Sequence, residues 1–302
     1  MLRLLLVAGL VASAGAEHGA AASPTLRERL LNVGRATVWT QTAAVPVSFA
    51  THHPQGMVRI GDEFFVSSVE ILRPTVRYPE RRDGRDRDVG AGVGHLFKIG
   101  PDGARRGDLV LGEGDLYHPG GIDYDGRHIW VAVAEYRPDS RAIVYRVDPS
   151  SMSATEVLRV DDHIGAVAYD RERGLLHGVS WGGRRFYTWR LGAKASAPTV
   201  AQNRAHYVDY QDCHHLGARQ MLCSGLAAYQ TSPRPFTLGG WELVDLKDHR
   251  PVWQSPVPLW APSGRPMTQN PFFAEPTATG IRAYFMPDDD RSTIYVYETA
   301  TP

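Results

Sequence analysis

The chain has 302 residues, 43% of them apolar, and its 33 Lys and Arg balance 33 Asp and Glu. A formal net charge of zero leaves no electrostatic footprint for nucleic acid or for an anionic membrane surface, so the partner to expect is a small polar molecule. This length fits one large domain, and a closed ring of repeats often takes as many residues as a single unit.

Met1 to Ala16 (MLRLLLVAGLVASAGA) combines an early Arg3, a short apolar run and an Ala14-Gly15-Ala16 ending. That is the layout of a secretory leader with its small-residue cleavage site. Residues 1–16 are therefore read as a signal peptide, and the mature protein as secreted or periplasmic. No later apolar run is long enough for a membrane-spanning helix. Residues 17–35 form an N-terminal segment with a short helix at Leu26 to Leu31, and residues 36–302 a single domain. Ala36 to Ala44 reads as a strand with no hairpin of its own.

A repeating template follows. Tyr117 to Glu135 (YHPGGIDYDGRHIWVAVAE) reads as a β-hairpin: a polar start, two glycines, a strand, an Asp-Gly turn and a second apolar strand. His53 to Glu70 (HPQGMVRIGDEFFVSSVE) repeats it in step, as does His163 to Trp181 (HIGAVAYDRERGLLHGVSW) with a longer turn. Weaker copies run from Asp209 to Leu226 and from Phe272 to Asp289. Each of the first four copies continues into two further strands, for example His95 to Ile99 with Asp108 to Leu111. All-strand self-similarity at this period predicts an all-β, five-bladed β-propeller, with six blades as the alternative count. The last copy supplies only three strands, so Ala36 to Ala44 is expected to complete its blade and close the ring.

Short turns rich in Gly and Asp (IGDE, DGRH, DRERG) define one face of such a ring, and long connections (Arg73 to Gly94, Tyr229 to Gly239, Ser255 to Gln269) define the other. Within the first, RRDGRDRD (Arg81 to Asp88) is either a solvated loop of mixed charge or a lid. Cys213 and Cys223 are the only cysteines and lie symmetrically on one hairpin, which leaves a cross-strand disulfide and two buried thiols both open.

First strands begin on the long-loop face near the axis, so His53, His118 and His163 should converge there with Asp209, Gln211 and Asp212. Glu70, Glu135 and the Asp288-Asp289-Asp290 run end on the same face. Three imidazoles backed by carboxylates suit a divalent first-row metal, with His53, His118, His163 and Asp209 as candidate ligands. Glu70 and Glu135 are the candidate proton movers, and Arg137, Ser140, Arg141, Gln211 and Asp212 the candidate substrate contacts, with Arg137 equally read as no more than a partner of Glu135. Without metal the histidines fit acid–base chemistry, or they pin each blade to its neighbour through a loop carbonyl. The other histidines, His95 among them, read as ordinary strand or turn residues. His214 and His215 point to opposite sides of one strand and make a poor ligand pair.

The run HPQG, then YHPGGIDYDG..IWV.VAEYRPDSRAIVYRVDP, then DHIGAVAYDRERG and SWGGRRFY, resembles a family of exported β-propeller proteins carried as a domain of unknown function. That resemblance implies the fold and no settled activity. More distantly the architecture is similar to the lactonase and strictosidine-synthase-like propellers, whose axial metal is held mainly by carboxylates and amides instead of histidines. The function expected is a metal-dependent hydrolase or lyase acting on a small polar substrate. The alternatives are a non-enzymatic propeller that binds a sugar or other small ligand, and a protein-interaction scaffold.

Overall fold

The computed structural model describes residues 24–192, 195–230 and 236–300. The leader expected over residues 1–16 lies outside them. Among the described residues no helix is long and apolar enough to cross a membrane.

Strand is the dominant element, arranged as four-stranded antiparallel units that follow one another in sequence. His53–Ile60, Glu63–Arg73, Ala91–Ile99 and Arg105–Leu111 form one sheet, and Asp209–His215, Gln220–Tyr229, Phe236–Asp245 and Arg250–Pro256 another. An eight-stranded sheet lies between them in sequence. It consists of two such units, His118–Tyr124 to Ser153–Val160 and Ile164–Asp170 to Thr199–Gln202, joined by one parallel pairing of Ala166 with Gly121. The last sheet mixes the two ends of the chain. Phe272–Pro276, Gly280–Phe285 and Thr293–Ala300 are completed by Thr40–Pro46, which pairs Thr40 with Glu298 through Pro46 with Thr293. The closing strand thus begins four residues later than the sequence suggests. The arrangement is propeller-like.

Apolar side chains fill the spaces between successive sheets, which is where sheet-on-sheet burial supplies most of the stability. Trp130, Ala132 and Val144 of one unit pack on Ile164, Val167 and Leu176 of the next. Met57 and Phe97 pack on Tyr284, Met286 and Ile294 across the closure, with Val45, Val47 and Phe49 covering the seam. The short helix Leu26–Leu30 is capped by Thr25 and Glu28, and Leu30 enters the core beside Trp241 and Phe272. Two connections differ from the sequence reading. The described ends of Tyr229 to Gly239 are strand, because Gln220–Tyr229 pairs with Phe236–Asp245 in unbroken register as far as Tyr229 with Phe236. Arg73 to Gly94 holds a hairpin, Arg77–Arg82 with Arg85–Arg87, turning at Asp83 (φ 49°) and Gly84 (φ 75°). Positive φ at both turn residues is the requirement that Asp-Gly meets. Cys213 and Cys223 face each other in register and form a disulfide.

Around the axis the inner strands approach so closely that side chains must be omitted. A Cβ at Gly121 would lie 2.7 Å from the Cα of Asp212, and one at Gly56 would lie 2.5 Å from the Ile122 nitrogen. This explains the glycines of the repeat. Four inner strands also bulge at the same template position: between Pro54 and Gly56, Pro119 and Ile122, Ile164 and Ala166, and Tyr210 and Asp212. A bulge bends the strand and re-aims the residue it inserts.

The fourth bulge delivers Asp212 to the centre. Its carboxylate, fully buried, accepts from the backbone N–H groups of Met57 (2.9 Å), Ile122 (3.0 Å), Phe272 (3.3 Å) and its neighbour Cys213 (3.1 Å). One side chain therefore ties its own strand to three other inner strands. Asp212→Asn keeps the shape but turns an NH2 group toward amide donors that then have no acceptor, and each orphaned buried donor costs about 1–3 kcal/mol. Urea unfolding should show a loss of about 3 kcal/mol or more, whereas Asp209→Asn on the exposed rim should stay within about 0.5 kcal/mol of the wild type. Equal, small effects of the two would contradict the central role of Asp212.

Candidate functional site

On the long-loop face the same geometry leaves a cavity of about 170 Å³, lined by His53, Gln55, His118, His163, Gly165, Asp209 and Gln211, with Tyr136, Trp181, Gly182 and Tyr210 as further walls. His53, His118 and Asp209 open an inner strand and His163 directly precedes one, while Gln55, Gly165 and Gln211 are the bulged residues two positions after His53, His163 and Asp209. The bulge is what turns both members of each such pair toward the axis.

The three imidazoles stand side by side, His118 between the other two, with ring centroids 6.4 Å from His53 and 6.0 Å from His163. His163 Nδ1 lies 2.9 Å from the backbone carbonyl of Glu135. A carbonyl only accepts, so Nδ1 carries the hydrogen and Nε2 keeps its lone pair. His53 Nδ1 is likewise 2.7 Å from Asp289 Oδ1, and Asp289 is held from its other side by Arg265 at 2.8 Å. Burial raises the Asp289 carboxyl, but His53 and Arg265 outweigh it and hold the pKa below its usual value. His118 is 5% exposed, stacks on Tyr136 with centroids 4.0 Å apart, and has no hydrogen-bond partner at either ring nitrogen. Burial, with His163 and His53 alongside, drives its pKa well below 6.5. His163 is lowered to about 4, chiefly by burial and against the Glu135 carbonyl. Both rings are neutral at pH 7.

Beside this cavity, and sharing His53 and Tyr136 with it, lies a more open cleft of about 540 Å³ lined also by His52, Glu70, Ile71, Thr75, Asp289 and Asp290. Among the described residues, His52, Glu70 and His95 form a group that could hold a metal, with ligand atoms all within 4.8 Å of one another. The axial histidines do not make so tight a set.

Several residues expected at the site have other surroundings. Glu135 is 1% exposed, and its two oxygens receive Arg137 and Arg141 at 2.6 and 2.7 Å. Both lone-pair faces are spent, so the proton-moving role read for it has no free oxygen to act through. The two arginines, read as substrate contacts, are its partners, and the Ser140 hydroxyl donates to the Arg137 carbonyl at 2.7 Å. Asp212, also read as a substrate contact, lies beneath the cavity and is occupied by backbone amides. Asp209 is at the rim, paired with Arg184 at 3.0 Å, and Gln211 lines the wall.

Residues 23–301 match the model of DUF6454, a family of unknown function. The chain belongs to that family. No curated protein matches it. Among solved structures, a luciferin-regenerating enzyme superposes with a TM-score of 0.50 at 10% identity, covering 88% of this chain and 95% of the other. A tail fiber of Staphylococcus aureus phage P68 gives 0.48 at 8% identity, over 92% of this chain and 55% of that one. The WD40 domain of Toxoplasma gondii coronin gives 0.38 at 8% identity, over 86% of each. At such identities the first likeness extends to the fold alone.

Four residues around the two cavities escape a reading of the repeat. Trp181 directly follows a second strand and Tyr136 lies two residues past one, and their place after Ser180 and Glu135 is the signal that could have found them. Gln55 is a bulged residue, and no bulge is visible in sequence. His52 has φ 56°, a left-handed conformation for a residue with a side chain. The hairpin from Arg77 to Arg87 reaches the same wall, with the Arg87 guanidinium 5.1 Å from the Trp181 ring.

The depressed His163 sets a pH dependence. Its folded pKa lies below the unfolded 6.5, so between about 6.5 and about 4 the unfolded chain binds more protons and the fold loses stability as pH falls. His163→Gln keeps a donor for the Glu135 carbonyl and removes the titration. Its melting temperature should fall less than that of the wild type across this window. Parallel curves for the two proteins would contradict the assignment.

Proposed function

We propose that the protein is an exported five-bladed propeller whose axial cavity is the active site of a hydrolase or lyase acting on a small polar substrate. The observation that carries this reading is His118, a buried imidazole with two unpartnered nitrogens at the centre of a cavity floor. Leaving such atoms unpaired costs about 1–3 kcal/mol apiece, a cost that a ligand supplying the missing contacts removes. The depressed pKa values of His118 and His163 keep these rings as acceptors at neutral pH. The lining contains no Ser, Thr, Cys or Lys. A Ser, Thr, Cys or Lys nucleophile therefore has no candidate in the lining, and the neutral imidazoles suit water activation or proton abstraction. Neutral imidazoles would also suit a divalent metal, and His53, His118, His163 and Asp209 are the residues that would hold one here, supplying Lewis-acid chemistry.

The rival reading is a non-enzymatic propeller that binds a sugar. It is favoured by the aromatic walls: Tyr136 and Trp181 stand 5.9 Å apart, with Gln55 and Gln211 beside them.

His118→Phe separates these uses from a structural one. Phe keeps the stack on Tyr136 and removes two unsatisfied atoms, so the melting temperature should be unchanged or raised. Turnover of whichever lactones, esters or sugar acids the wild type accepts in a panel should be lost. A marked fall in melting temperature with turnover retained would overturn the proposal. A wild type that binds sugars without converting anything in the panel would favour the rival.

A further inference from the structure

We infer that His52, Glu70 and His95 form a binding site for a divalent first-row transition metal of the zinc type, on the wall of the open cleft beside the axial cavity. The donor set is two imidazoles and one carboxylate. That combination suits Zn²⁺, Co²⁺, Mn²⁺ or Fe²⁺, whereas Ca²⁺ and Mg²⁺ prefer oxygen ligands throughout.

His95 shows the strongest preparation. Its Nδ1 is 2.8 Å from Asp108 Oδ1, so the hydrogen sits on Nδ1 and the lone pair on Nε2. That Nε2 is buried without a hydrogen-bond partner and lies 3.8 Å from Glu70 Oε2. A carboxylate that fixes the far nitrogen of a histidine is the arrangement by which ligating imidazoles are commonly oriented. The ring is clamped further by stacking on Phe97 at 4.9 Å.

His52 arrives by a backbone device. Its φ of 56° lets two consecutive imidazoles serve different places: His53 turns to the axial cavity and Asp289, while His52 stacks over His95 with centroids 5.4 Å apart. A non-glycine residue in this conformation is strained, and such outliers concentrate at functional sites. Glu70 is 39% exposed at its side chain and lines the cleft. The metal's remaining positions would thus face the space that borders His53 and Tyr136, where a Lewis acid can polarise a substrate or a bound water. The site itself stands apart from the axial reading; only this role depends on it.

The test is titration of the full mature chain, stripped with chelator, with ZnCl2 and with CoCl2, following heat and the visible spectrum of cobalt. The wild type and His118→Phe should each take up one equivalent at this site. Glu70→Gln and His95→Gln, the latter keeping a ring-sized group against Phe97, should weaken binding by 10-fold or more and alter the cobalt spectrum. Asp108→Asn, as a positioning residue, should weaken it about 10-fold with the metal-free melting temperature unchanged. Absence of stoichiometric binding by the wild type would overturn the inference, as would affinity unchanged in both Glu70→Gln and His95→Gln. Binding lost in His118→Phe but kept in His95→Gln would also overturn it, placing the metal on the axial ring and leaving the proposed active site intact. Binding kept in His118→Phe together with turnover kept would sustain the metal site and refute the axial proposal.

Discussion

The buried carboxylate of Asp212 is the constraint on which the rest of the molecule depends. Inner strands converging on an axis bring backbone amides together where water cannot reach them, and amides in that position need an acceptor. Asp212 supplies it for three other strands at once. Burial pushes its pKa up to about 7 in spite of His214 and the amides of Met57, Phe272 and Ile122. His214 lies 3.7 Å from Asp212 and 3.6 Å from Asp123, and donates to the Phe272 carbonyl at 2.9 Å. The carboxylates outweigh its burial and raise its pKa. Asp123 in turn accepts from the amides of Tyr169 and His215. The centre of the ring is a polar network built on the carboxylates of Asp212 and Asp123, while apolar packing does its work further out, between the sheets.

The same crowding accounts for the site. Strands that approach within Cβ contact distance need glycine at Gly56, Gly120 and Gly121, and bulges let them turn past one another. Each bulge leaves two successive residues of one alternation facing the mouth of the axis. His53 with Gln55, His163 with Gly165 and Asp209 with Gln211 are those pairs. His118 differs: the residues after it, Gly120 and Gly121, are spent on close approach, and it has no counterpart of the Asp289 carboxylate that meets His53 or of the Glu135 carbonyl that meets His163. His118 is thereby a buried histidine with neither ring nitrogen bonded.

This logic also separates what the sequence made legible from what it concealed. His53, His118 and His163 recur at one template position, and a recurrent position maps to a recurrent place in a ring, so their convergence could be read directly. His52 and His95 do not recur. They meet because of one left-handed backbone angle and a facing strand, neither of which leaves a repeating trace. The place of Asp212 in the repeat points to the axis, but sequence carries no measure of depth, and the difference between lining a cavity and lying under it decides its role. Glu135 resembles Glu70 in the template, yet the two arginines that follow it neutralise it, a fate that EYRPDSR permits without requiring. The Asp83-Gly84 pair did signal a hairpin within the long first connection; its charge obscured the turn chemistry.

The central claim is that the cavity floor is made of neutral imidazoles whose nitrogens are left for a ligand. Long-range proton–nitrogen correlation spectra of the histidine rings measure that state one residue at a time. The account predicts that His118 stays neutral as pH is lowered through 6.5, and that His163 carries its hydrogen on Nδ1 and takes up a second proton only near pH 4. An imidazolium at His118 at neutral pH, or a His163 whose hydrogen sits on Nε2, would contradict it.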